Sequence, residues 1–169
     1  MWKRASDFKF QGINLKVFEG TIEPGDIRQG NLGDCYFLSS LSALAEYDNL
    51  IARLFESKNY NDAGCYCVWL CHDGEFKPVV VDDYFPCDSN GPPAFSVGHG
   101  PELWVLLLEK AYAKIYGSYD RIEAGLTGDA IRDLTGAPYE WKNTNEGPDE
   151  IWKFLRKSDL NSYIMTAGS

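Results

Sequence analysis

Histidine is nearly absent from this chain: His72 and His99 are the only two in 169 residues. Chemistry that needs an imidazole base has little to draw on. Long apolar runs are missing too. None approaches the roughly 20 residues of a membrane span, so no transmembrane segment is expected. Basic charge is short, with 16 Lys and Arg against 25 Asp and Glu and a net charge of −9. A nucleic-acid binder usually carries a basic face, and none is evident. The acidity suits cation binding, although solubility alone explains it. No secretory leader opens the chain; Met1-Trp2-Lys3-Arg4 runs straight into polar sequence. The five cysteines, Cys35, Cys65, Cys67, Cys71 and Cys87, are odd in number. Together these features point to reduced thiols in an intracellular, cytoplasmic setting. No repeat or low-complexity tract is visible. No EF-hand loop appears either: Asp88-Ser89-Asn90-Gly91 lacks the spacing and the final glutamate.

What is present is a soluble, globular composition, 44% hydrophobic and 14% aromatic, in a length that favours one domain over residues 1–169. Residues 1–30 read as an irregular arm punctuated by Gly12, Gly20, Pro24, Gly25 and Gly30. From Asp34 the apolar positions Phe37, Leu38, Leu41, Leu44 and Ala45 form one helical face. Asp48 is placed to cap a short second helix carrying Ile51, Leu54 and Phe55. Residues 65–71 and 75–81 read as a hairpin about Asp73-Gly74. The unalternating Val79-Val80-Val81 suggests a strand buried on both faces. Pro101 is expected to open a helix that runs to Tyr116 and stops at Gly117. Shorter helices are expected near 128–135 and 148–157, and a strand from Ser162 to Thr166. The fold class is therefore α+β and mainly helical, with a central helix starting at Cys35 and a small hairpin sheet.

The run Gln29-Gly30-Asn31-Leu32-Gly33-Asp34-Cys35-Tyr36-Phe37-Leu38 carries the most chemistry. A thiol in the first turn of a helix meets the positive end of the helix dipole, which favours the reactive thiolate. Gly30 and Gly33 allow close approach by a substrate. The Gln29 amide is available to a developing oxyanion, a role worth roughly 3–4 kcal/mol in hydrolases that use one. On physics alone, Cys35 is as easily a small buried core residue at a helix start. Cys65, Cys67 and Cys71 share one face of a strand, which suits packing better than the turn-borne knuckle of a zinc site. Asp82 and Asp83 face opposite ways on a strand and read as structural. Trp104 and Trp141 read as packing residues.

The segment 29–38 resembles the nucleophile segment of the calpains, the calcium-dependent papain-like cysteine proteases. Trp2-Lys3-Arg4, Val79-Val80-Val81-Asp82-Asp83, Glu102-Leu103-Trp104, Leu107-Leu108-Glu109-Lys110-Ala111-Tyr112-Ala113-Lys114, Gly117-Ser118-Tyr119 and Asp133-Leu134-Thr135-Gly136 resemble further family segments in the same order. The resemblance implies the first, cysteine-bearing lobe of a two-lobed protease core. Cys35 would be the nucleophile, Gln29 the oxyanion-hole residue and Gly125 a backbone contact to extended substrate. Ala124 stands where the family usually has glycine. The histidine and asparagine would come from a second lobe that is absent here, and neither His72 nor His99 resembles the family's base. The resemblance also implies a calcium site built from the carboxylates of Asp26 and Glu102 and the carbonyls of Gly20 and Phe18. Pro24 replaces a basic residue that many members use to couple the lobes. The implied function is half of a calcium-dependent endopeptidase acting on protein substrates by thiol acyl transfer, inactive alone. The alternatives are a non-catalytic calcium-responsive module derived from that lobe, or another thiol enzyme with a base from a partner.

Overall fold

The computed structural model describes residues 1–8, 14–89 and 91–168; Gly12 and Asn90 lie outside them. Thirty buried apolar side chains form one hydrophobic core among the described residues, and nearly every element contributes to it. At its centre is α3 (Trp104–Tyr116), buried on almost all sides: Trp104 through Glu109 and Ala111 through Ala113 are all shielded from solvent. A helix that is apolar nearly all round belongs inside a core rather than on its surface. Gly117 ends it in the left-handed conformation at φ 104°, as the sequence indicates. Helix α1 (Cys35–Ala45) turns Phe37, Leu38, Leu41, Leu44 and Ala45 into the core, the face that the spacing predicts. Phe37 stacks on Tyr112 of α3 with ring centroids 4.2 Å apart.

The strands are few. β2 (Cys65–His72) and β3 (Glu75–Asp82) pair antiparallel about Asp73 and Gly74, whose φ angles of 55° and 80° give the tight hairpin turn that the sequence signals. β1 (Trp2–Arg4) pairs with β4 (Tyr84–Pro86), so the arm begins in a two-stranded ribbon that composition does not reveal. The ribbon is fixed by a bidentate ion pair from Arg4 to Asp83, at 2.9 and 3.1 Å, with Asp83 fully buried. Asp82 faces the other way and meets Lys110 at 2.6 Å. Both aspartates are thus structural, as their alternation implies.

Four local expectations are revised. Val80 is 48% exposed between buried Val79 and Val81, because β3 is covered on one face only. The long helix starts at Trp104, and Pro101 and Glu102 precede it. The first-turn N–H groups of Leu103 and Trp104 are instead satisfied by the carbonyls of Lys16 and Val17, at 3.0 and 3.2 Å. Helix α2 (Asp48–Ala52) begins at Asp48 with Tyr47 before it, and Leu54 and Phe55 are buried beyond its end. Residues 162–168 contain no strand. Helices α4 (Thr127–Thr135) and α5 (Pro148–Leu160) occur where expected; α4 packs on α1, and α5 runs three residues longer than the sequence suggests.

Candidate active site

Helix phase sets the exposure of the thiol. Cys35 is the first residue of α1 and faces solvent, while Asp34 before it and Phe37 and Leu38 after it are buried. The turn that delivers it is tied together locally. Gln29 Nε2 donates to the Leu32 carbonyl at 3.0 Å, which holds the side-chain amide in the turn before Cys35. The turn also lies against residues 94–97. Arg28 and Val97 exchange backbone hydrogen bonds at 3.0 Å in both directions, and Asn31 N–H donates to Ala94 O at 2.9 Å. Gly30 is required by this approach: a Cβ there would sit 1.9 Å from Phe95 O and 2.6 Å from Ala94 O.

A second segment closes from the other side. Ala124 N–H donates to Gly33 O at 2.9 Å, and Ala124 itself takes the left-handed conformation at φ 58°. Gly125 then lies flat on the ring of Tyr36, the neighbour of Cys35. A Cβ on Gly125 would come within 2.5–2.9 Å of three ring carbons of Tyr36. Gln29, Cys35 and Gly125 thus flank one stretch of chain, tied through the backbones of their neighbours Arg28, Asn31, Gly33 and Ala124. Gly125→Ala is expected to cost about 1–3 kcal/mol, the usual range for forcing volume into a packed contact. Urea unfolding checks this; an unchanged midpoint would show that Tyr36 moves aside freely.

No imidazole joins this group. His72 ends β2, edge-on to Tyr116 at 5.6 Å, with Nε2 3.6 Å from Asp73. His99 is exposed in the loop before α3. Among the described residues, no hydrogen bond or ion pair connects either histidine to Cys35.

The acidic residues singled out in the sequence lie where the arm crosses the start of α3. Asp26 and Glu102 are both buried. Asp26 Oδ2 accepts Glu23 N–H at 2.8 Å, and Glu102 Oε1 accepts Glu19 N–H at 2.6 Å. Burial pushes the Glu102 carboxyl up from its ordinary range, with further contributions from the negative charges of Asp26 and Glu19. Among the described residues, neither Asp26 nor Glu102 is paired with lysine or arginine; the nearby Lys16 bridges Glu19 at 2.7 Å. Two buried, mutually repelling carboxylates, each with an oxygen to spare, make a donor set that suits a hard cation. Phe18 and Gly20 flank Glu19, and Gly20 has φ 77°. The peptide whose N–H reaches Glu102 is trans, so the Phe18 carbonyl points away from that carboxylate oxygen.

The other candidates are quiet. Among the described residues, no group of three or more His, Cys, Asp or Glu is placed to hold a metal ion. Trp104 is fully buried, as expected of a packing residue, whereas Trp141 is 71% exposed.

Sequence reading overlooks two residues near the thiol. Glu109 lies on α3 between buried positions, and its N-terminal partner is Asp34. The available signal was a glutamate in register with Val105, Leu106 and Ala113 on an apolar stripe. Tyr36, which supports Gly125, was the other.

Residues 1–169 match the protein family described as calpain family cysteine protease. Calpain-type cysteine protease DEK1 of Zea mays is 46% identical over 179 aligned positions, covering 99% of this chain and 8% of the relative. Calpain-type cysteine protease DEK1 of Arabidopsis thaliana is 40% identical over 161 residues, covering 90% of this chain and 7% of the relative. Calpain-14 of Homo sapiens is 36% identical over 168 residues, covering 97% of this chain and 24% of the relative. The chain thus spans at most about a quarter of the length of these relatives.

Proposed function

Because the chain belongs to the calpain family of cysteine proteases, we propose that it is the nucleophile-bearing lobe of a calcium-dependent endopeptidase acting on protein substrates. The observation that carries this reading is the turn at residues 29–35, which presents an exposed thiol at the head of α1 beside a tethered glutamine amide. Cys35 attacks the scissile carbonyl. The Gln29 amide and the Cys35 N–H, at a helix end with no intrahelical acceptor, receive the developing oxyanion. Gly125, bare of side chain, offers its backbone to extended substrate. The proton of the thiol must pass to an imidazole, which a second lobe carrying histidine and asparagine supplies as partner. Free thiols on an exposed surface fit a reducing, intracellular location.

Alone, the 169-residue chain is expected to show no efficient turnover of a fluorogenic peptide in excess calcium. Robust turnover abolished by Cys35→Ala would overturn the half-site reading.

Asp26 and Glu102 would hold calcium, with Gly20 as the first carbonyl donor and Phe18 as the weaker one. Bound there, it would neutralise the two carboxylates and so join the arm to the start of α3. Isothermal titration is expected to show binding that Asp26→Ala and Glu102→Ala each weaken at least tenfold, since each removes a charged ligand from a small set. Unchanged binding in both variants would reject the site. Binding without any thiol reactivity toward a substrate-like epoxide in a two-lobed protein would favour the non-catalytic module instead.

A further inference from the structure

The aspartate before Cys35 is an N-cap residue that does not cap. Asp34 is fully buried at the head of α1, and its side chain accepts no hydrogen bond from the helix. Its backbone carbonyl serves instead, accepting from Phe37 and Leu38 N–H at 2.9 and 3.1 Å. The carboxyl turns inward against that of Glu109 on α3, which is also buried. Glu109 Oε1 accepts Ser96 N–H at 3.0 Å, and Ser96 lies in the 94–97 segment that supports the nucleophile turn. Among the described residues, both Asp34 oxygens, Ser96 Oγ and Tyr119 Oη are buried without a hydrogen-bond partner. Burial, and then the negative charges of Glu109, Asp82 and Asp34, push the Tyr119 hydroxyl up.

Two buried carboxylates cannot both remain ionised there. Among the described residues, the titratable groups facing them are Tyr36 from α1 and Tyr119 from the turn after α3; residues 94–97 carry no ionisable side chain, and Cys35 faces solvent. Lys110, next to Glu109, points elsewhere, to Asp82 and to the Tyr84 carbonyl. Among the described residues, no lysine, arginine or histidine acts on either carboxyl. Burial and the charge of Asp34 push Glu109 well above the ordinary carboxyl range.

We propose that Asp34 and Glu109 share one proton, and that this carboxyl–carboxylate hydrogen bond positions Cys35 by locking the first turn of α1 to α3 and to residues 94–97. Glu109 is the donor and Asp34 the acceptor. Both are positioning residues: neither touches the reacting atoms. The positioning role rests on the reading of Cys35 as the reactive thiol; the shared proton does not.

The linkage has a definite sign. The folded state holds a proton that the unfolded chain releases in the ordinary carboxyl range. The contribution to stability is therefore full below that range and declines as pH rises towards the folded value of the pair. Three measurements test the proposal. The infrared spectrum of the 169-residue chain near neutral pH is expected to show a protonated carboxyl band that Glu109→Gln removes. The decline of the urea midpoint with rising pH, above the ordinary carboxyl range, is expected to flatten in Glu109→Gln and to shrink in Asp34→Asn. Each amide supplies the donor that the shared proton supplied. Iodoacetamide labelling of Cys35, read on its own peptide by mass spectrometry, is expected to change about tenfold or more in Glu109→Ala and to return to within about twofold of wild type in Glu109→Gln. If the alanine variant fails to fold, the wild-type infrared band still decides. Its absence overturns the shared proton. A band with labelling equal in all variants overturns the positioning role, while leaving Cys35 as nucleophile intact.

Discussion

Phe37→Ala is expected to cost about 3–5 kcal/mol of folding stability, the range for emptying a buried aromatic site. Phe37 is fully buried and stacks on Tyr112, two residues along α1 from the thiol. Its loss opens a cavity between α1 and α3, the two helices whose relation sets where Cys35 sits. Domains of this size hold roughly 5–15 kcal/mol in total, so the variant is expected to fold with much of its margin gone. Urea denaturation measures the cost, and the rate of Cys35 labelling measures the displacement. A loss under about 1 kcal/mol would mean that the site collapses without strain, against the close stacking observed. Phe37→Leu keeps most of the volume and is expected to lose less than half as much.

The turn that leads into Cys35 was legible in the sequence because it obeys local rules. Glycines, an aspartate, a cysteine and then a 3.6-residue apolar pattern place a thiol at a helix mouth, and the observed α1 begins at Cys35. The hairpin at Asp73-Gly74 and the stop at Gly117 were legible for the same reason: left-handed backbone calls for particular residues. What could not be read was long-range. The pairing of Trp2–Arg4 with Tyr84–Pro86 depends on partners about 80 positions apart, with no hairpin turn to announce them. Helix α3 starts at Trp104 rather than Pro101 because the arm at Lys16 and Val17 caps it from far away in sequence. The exposure of Val80 follows from a sheet of two strands with one face covered, which a run of three valines does not reveal. At the site, Cys35, Gln29 and Gly125 were named from pattern and resemblance, and the fold gathers them. The inward turn of Asp34 onto Glu109 was hidden, since an aspartate at a helix start ordinarily caps that helix.

The largest expected effect belongs to the thiol. With neither His72 nor His99 beside Cys35, the proposed nucleophile half would contribute binding and an oxyanion site but no base. Catalysis is then expected only when a lobe bearing histidine and asparagine is present. In that assembly Cys35→Ala removes the attacking atom itself. Groups that act as a unit lose nearly everything when one is removed, so the drop in kcat is expected to reach several orders of magnitude. Gln29→Ala is expected to lower kcat by about 10²–10³ with KM little changed, because an oxyanion donor acts on the transition state.

The decisive measurement is peptide hydrolysis in calcium by three proteins: the 169-residue chain alone, the same chain within a polypeptide carrying a histidine- and asparagine-bearing lobe, and that polypeptide with Cys35→Ala. The predicted result is turnover by the second protein only. Turnover that survives Cys35→Ala would contradict the assignment of Cys35 as nucleophile.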